Sequence, residues 1–195
     1  MPAKQSDVHA MPAMLQLLAQ LLWARDILSV AALAGLVGEN KDNVRARLSL
    51  LNAVIHVPDD DDEPNLRILH ISFCDYLIER APIRISASLG HETLARACLR
   101  VMAEQLYFNV SQSRSSYESN LTTRTATVTP ALEYACLQWI YHVALISVPS
   151  ELDVEIDAVF RSRFLFWLEV LSILGQVSRA TKILLLAAST VGRLP

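Results

Sequence analysis

The sequence predicts a mainly α-helical chain in which three short helices and a β-hairpin precede a longer all-helical region. Three observations predict it. Apolar residues recur at spacings of three and four along most of the chain, the period of helices buried on one side. Residues 66–71 instead alternate at the period of a strand, and with the short run Val54 to Val57 they flank the acidic run Asp59-Asp60-Asp61-Asp62-Glu63-Pro64, which reads as two strands joined by a loop. Hydrophobic residues make up 52% and charged residues 19% of the 195, enough apolar material for a folded core.

Taken in order, Pro12 suits the first turn of a helix whose stripe is Leu15, Leu18 and Leu22 and which ends near Arg25-Asp26. Ser29 can cap a short second helix through Ala31, Leu33, Ala34 and Val37, and Gly38 would stop it. Asn40 or Asp42 opens a third helix bearing Val44, Leu48 and Leu51. Strands over Val54 to Val57 and Leu66 to His70 then flank the acidic loop. Three short helices and a hairpin are the winged-helix arrangement, so residues 11–80 are expected to form a winged-helix-like domain.

The hairpin's second strand leads into the most informative segment, Arg67-Ile68-Leu69-His70-Ile71-Ser72-Phe73-Cys74-Asp75-Tyr76-Leu77. Leu66, Ile68 and His70 alternate with Arg67, Leu69 and Ile71, and Ser72 is placed to cap a helix with Phe73, Tyr76 and Leu77 on its buried side. A histidine at that junction stands at a helix N-terminus, where free backbone N–H groups could meet an anion such as phosphate. The competing reading is a packed strand-to-helix corner.

Residues 81–195 are expected to form a helical domain. A helix over His91 to Phe108 carries Leu94, Cys98, Val101 and Gln105, widened by Ala97 and Met102. In residues 109–129, 10 of 21 are Ser or Thr, a loop by composition. Thr129-Pro130 restarts a helix through Leu132, Cys136, Trp139 and Val143. Pro149, Ser150 and Asp153 make a capping-box-like start for another. Phe164 to Leu174 and Ser178 to Thr190, joined across Gly175, complete a helical hairpin of the kind from which solenoids are built.

Composition excludes several classes. Mean hydropathy is +0.31, yet no stretch reaches the roughly 20 apolar residues of a spanning helix. Asp7, Gln16 and Gln20 break up the apolar N-terminal stretch, and no small-residue cleavage site follows, so no signal peptide is expected. Cys74, Cys98 and Cys136 fall within helical apolar patterns, as reduced core thiols of a cytoplasmic protein would. For the same reason the sequons at Asn109 and Asn120 are not expected to be glycosylated. His70-x3-Cys74 and Cys136-x5-His142 lack a second pair to complete a tetrahedral metal site.

Catalytic signatures are missing. None of the five glycines begins a G-x-x-x-x-G-K loop, and no G-x-S-x-G, H-E-x-x-H or C-x-x-C occurs, so no enzyme activity and no cofactor are expected of this chain alone. Glu151, Asp153, Glu155 and Asp157 read as a solvated face. Trp139, Tyr141, Phe164, Phe166 and Trp167 read as core. Lys41, Arg45 and Arg47 on the third helix would suit DNA, but the acidic loop and a net charge of -3, with residues 1–80 at net -4, oppose a nucleic-acid partner.

Leu28-Ser29-Val30-Ala31-Ala32-Leu33 with Leu36, the hairpin Val57-Pro58-Asp59-Asp60, and Arg67-Ile68-Leu69-His70-x-Ser72-Phe73-x-Asp75-Tyr76-Leu77 resemble the segment that follows the nucleotide-binding core in fungal NACHT-type signalling ATPases, members of the STAND class. The blocks His91-Glu92-x-Leu94-Ala95-x-x-Cys98-Leu99-x-x-Met102, Pro130-Ala131-Leu132-x-Tyr134-Ala135-Cys136-x-x-Trp139-x-x-His142 and Phe166-Trp167-Leu168-Glu169-Val170-Leu171-Ser172-x-Leu174-Gly175 are similar to the same proteins in the same order, over about residues 14–190. The resemblance implies a winged-helix and helical regulatory segment that closes over ATP or ADP held by an upstream P-loop module. It implies that His70 meets the nucleotide phosphates, with Ser72, Phe73 and Asp75 in the motif around it. The P-loop module and the repeats that commonly follow are not in this sequence, so the chain reads as a fragment or a free-standing regulatory piece with protein partners. The alternative is a stand-alone helical adaptor that binds proteins through its last two helices.

Overall fold

A computed structural model describes residues 13–112, 128–146 and 150–191. The described chain is mainly helical, with one two-stranded antiparallel sheet. It divides into two compact units, residues 1–94 and 95–195.

In the first unit, α1 (Ala13–Trp23), α2 (Val30–Val37) and α3 (Lys41–Ser49) pack in succession. Local chemistry sets their ends. Ser29 Oγ accepts the Ala32 N–H at 3.0 Å at the start of α2, and Gly38, at φ 82°, ends it in the left-handed conformation that glycine adopts without a Cβ clash. Asn40 Oδ1 accepts the Asp42 N–H at 2.8 Å and opens α3. Leu17, Leu33, Leu36, Val44 and Leu48 form the core between these helices. Pro12, expected in the first turn of α1, lies outside the described residues.

The hairpin is shorter than expected. Strands β1 (Ile55–His56) and β2 (Arg67–Ile68) pair Ile55 with Ile68 and His56 with Arg67. Pro58 cannot donate to a ladder, which limits β1. Leu66 pairs not with the hairpin partner but with Leu28, in an isolated antiparallel bridge. The acidic loop folds back on α3: Arg45 donates to the carboxylate of Asp61 and, at 2.7 Å, to the Pro58 carbonyl. The Asp61 carbonyl accepts the Ala31 N–H at 2.8 Å.

After β2 the chain turns through α4 (Ile71–Asp75) into a single π-helical turn, Tyr76–Arg80. The Ala81 N–H donates to the Tyr76 carbonyl at 2.7 Å and closes that turn. Of the expected buried face only Leu77 is buried, while Phe73 is half-buried and Tyr76 exposed.

Helix α5 (Ala87–Gln105) begins before His91 and stops short of Phe108, correcting both expected ends. Ser86 Oγ accepts the Leu89 N–H at 3.2 Å, the cap that sets the earlier start. Inside the first unit Gly90 lies directly under the indole of Trp23.

The second unit is built from α6 (Pro130–Val143), α7 (Ser150–Ile173) and α8 (Val177–Val191), each packed on the other two. Thr129 Oγ1 accepts the Leu132 N–H at 3.1 Å, with Pro130 in the first turn. Residues 150–173 form one continuous helix rather than separate segments, and Gly175, at φ 67°, turns it into α8. Trp139 and Trp167 are fully buried and pack with Phe160 and Phe164, with ring centroids 4.7 Å apart for Trp139–Phe160 and 5.9 Å for Phe164–Trp167. Trp167 Nε1 donates to the Cys136 carbonyl at 3.0 Å.

The four acids of α7, expected as a solvated face, are only partly so: Asp153 and Glu155 are half-buried. Residues four apart share a helix face, and Glu151 and Glu155 both reach Arg96, at 3.8 and 2.7 Å, while Asp157 pairs with Arg161 at 2.5 Å. Most of the Ser/Thr-rich stretch, residues 113–127, lies outside the described residues, as does Pro149. Ser111 within that stretch is buried, and its N–H and hydroxyl donate to Glu169 at 3.0 and 2.6 Å.

Candidate functional site at the His70 corner

His70 stands between β2 and α4, with extended backbone at φ -137° and ψ 129°. That conformation makes His70 itself the N-cap. Its Nδ1 accepts the Ser72 N–H at 3.1 Å, correcting the expectation that Ser72 caps the helix. Ser72 lies inside α4. The geometry fixes the tautomer: an Nδ1 that accepts carries no proton, so the proton resides on Nε2. His70 is exposed, while Leu66 and Leu77 on either side of the corner are buried.

The open anion cradle expected at this helix start is largely closed. Ser72 N–H is held by His70 Nδ1, and Phe73 N–H donates to the His70 carbonyl at 3.0 Å. What the corner can offer an anion is the imidazole Nε2–H.

His70 and Ser72 are joined directly. Asp75 is exposed at the other end of α4, next to Cys74. Partial burial and then the neighbouring Asp75 carboxylate push the Cys74 thiol above its ordinary range, which disfavours the nucleophilic thiolate. Phe73 is half-buried.

Cys98 and Cys136 in the second unit are buried free thiols, both shifted upward by burial. Among the described residues no group of three His, Cys, Asp or Glu could hold a metal ion. No described helix is long and apolar enough to cross a membrane. Two of the three basic residues of α3 are in ion pairs, Arg45 with Asp61 and Arg47 with Glu39.

Comparison with protein families, with curated proteins and with solved structures finds no match. Sequence reasoning missed the Arg45 clasp on the acidic loop and a recess beside β2, both of which depend on contacts between residues distant in sequence.

Proposed function

We propose that this chain is the winged-helix and helical regulatory segment of a NACHT-like signalling ATPase, acting through contact with an upstream nucleotide-binding module and without catalysis of its own. The observation that carries the reading is the state of His70, an exposed imidazole whose Nδ1 is occupied by Ser72 N–H and whose Nε2–H is left to donate. A nucleotide phosphate oxygen takes that kind of donor. The order α1, α2, α3, β1, β2 supports a winged helix with residues 55–68 as the wing. The ordered residue blocks support the family. ATP or ADP would sit in the upstream module, in the cytoplasm, and His70 would report its phosphates.

Two substitutions test this reading in the intact assembly. His70→Ala removes both imidazole and cap, whereas His70→Asn keeps a capping side chain. If the ring senses phosphate, both variants release ADP faster and remain folded. Wild-type ADP release from His70→Asn would reduce the residue to a cap. Turnover of ATP by the purified chain at roughly 1 s⁻¹ or faster would overturn the non-catalytic assignment.

A stand-alone adaptor is the second reading, favoured by the large apolar side chains that the last two helices expose: Leu165 at 71%, Val177 at 51% and Leu185 at 67%. Such exposure marks interfaces when it is contiguous. A monodisperse monomer that recovers no partner from its native extract would count against this reading.

A further inference from the structure

We propose that the outward apolar row of α8 docks on the outward face of α7 in a second copy of this chain. Helix α8 packs on α6 and α7 and buries Ala180 and Ile183. Val177, Thr181, Leu184 and Ala188 follow one another at steps of four, three and four residues, all exposed, with exposed Leu185 beside them. Steps of that kind are the spacing of a core-facing side. Helix α8 therefore carries apolar residues on two faces, and its own unit covers one.

The occupant is argued from what α7 presents. Its exposed row is Val154, Ala158 and Leu165, with Arg161 between the last two, and Val154 is 68% exposed. Residues at these spacings lie on one helix face. The rows cover residues 154–165 and 177–188, so each is about 17 Å long at 1.5 Å per residue. Matched in length, they can pack side by side as two helices do when ridges enter grooves.

Charge selects α7 rather than a second α8 as the occupant. Between Ser150 and Leu165 stand four acids and two arginines, net -2, whereas α8 carries Arg179 and Lys182 and no acid, net +2. Among the described residues, the Arg179 and Lys182 side chains have no hydrogen-bond or ion-pair partner. Packing α8 on α8 would oppose like charges, while α8 on α7 brings opposite charges together. On α7, Arg161 donates to Oδ2 of Asp157, which leaves Oδ1 to accept from a lysine of the second copy. The inference rests on neither nucleotide sensing at His70 nor a foreign partner.

The test follows sedimentation of the full chain against its concentration. The mean mass should rise above the 21.7 kDa of one copy with a Kd on the order of 10–100 µM, the weak end that a small contact reaches. It should fall back in about 0.5 M NaCl, which screens the charges. Leu185→Arg on α8 and Leu165→Arg on α7 should each stay at the mass of one copy with an unchanged urea midpoint. Mixed in equal amounts they should associate as a pair, because one keeps its α7 face and the other its α8 face. Leu185→Gln and Leu165→Gln serve the same test if arginine unfolds either chain. A wild-type chain that stays at 21.7 kDa up to about 1 mM would overturn the proposal and leave the adaptor reading to its own test. Leu165→Arg associating as the wild type does would overturn it too, by assigning the contact to surfaces other than α7, as would two variants that fail to associate when mixed.

Discussion

Replacing Gly90 by alanine sets two effects of opposite sign against each other, and the structure decides between them. Gly90 lies in the first turns of α5, its N–H donating to the Ser86 carbonyl at 3.0 Å. At an exposed helical position Gly→Ala would stabilise by about 1 kcal/mol, because alanine loses less backbone freedom on folding. Here a Cβ would fall 2.0 Å from Cδ1 and 2.6 Å from Cγ of Trp23. Those are rigid ring atoms, so the indole must leave. Its departure also breaks the edge-on contact with His91, whose ring centroid is 5.4 Å away. Displacing a packed Trp forfeits up to the roughly 3–5 kcal/mol of a Trp→Ala change, and Trp23 is half-buried, so about 3 kcal/mol is expected. The net is a loss of about 2 kcal/mol. With a urea slope of about 2 kcal/mol per molar, the unfolding midpoint falls by about 1 M. Chemical unfolding followed by tryptophan fluorescence measures it. Trp23→Leu in the Gly90→Ala background should recover part of the loss, because the clash has gone. Gly90→Ala more stable than wild type would refute the reasoning.

Other expectations follow from single contacts. Ser29→Ala, which leaves the Ala32 N–H without its cap, should cost about 1 kcal/mol in urea unfolding, and an unchanged midpoint would contradict the cap. Trp167→Phe removes the hydrogen bond to the Cys136 carbonyl and should cost about 1–3 kcal/mol, read as a lowered thermal midpoint; no change would mean that bond contributes nothing net. Burial, and then the charge of Arg25, hold the His91 pKa below its ordinary value of 6.5. The folded state therefore resists protonation that the unfolded chain accepts, and stability present at neutral pH is lost as pH falls below about 6.5. His91→Gln should flatten the dependence of the urea midpoint on pH in that window, and an unaltered slope would place the dependence elsewhere.

What could be read from the sequence was what is local in sequence. Ser29, Asn40 and Thr129 cap helices by accepting N–H groups two or three residues on, and Gly38 and Gly175 end helices because their backbone is left-handed. Such bonds need no knowledge of the rest of the fold. The Leu28–Leu66 bridge, the Arg45 clasp on Asp61 and the Ser111–Glu169 bonds join residues far apart, and no local pattern announces them. The His70 corner lies between these cases. Its position at a helix start was legible, but alternation alone extended β2 through His70, whereas the ladder stops at Ile68. The cap then fell to the residue whose backbone is extended and whose ring can reach two residues ahead, His70 rather than Ser72. The π turn at Tyr76–Arg80 left no periodic trace, since a single widened turn shifts the register by about one residue.

The central claim, that this chain regulates an ATPase by contact, is tested most directly by peptide mapping of the native polypeptide isolated from its source. The account predicts peptides upstream of Met1 that contain a G-x-x-x-x-G-K loop, or a tightly associated second polypeptide that carries one. A native protein that begins at Met1 and copurifies with no nucleotide-binding module would contradict it and leave the adaptor reading in its place.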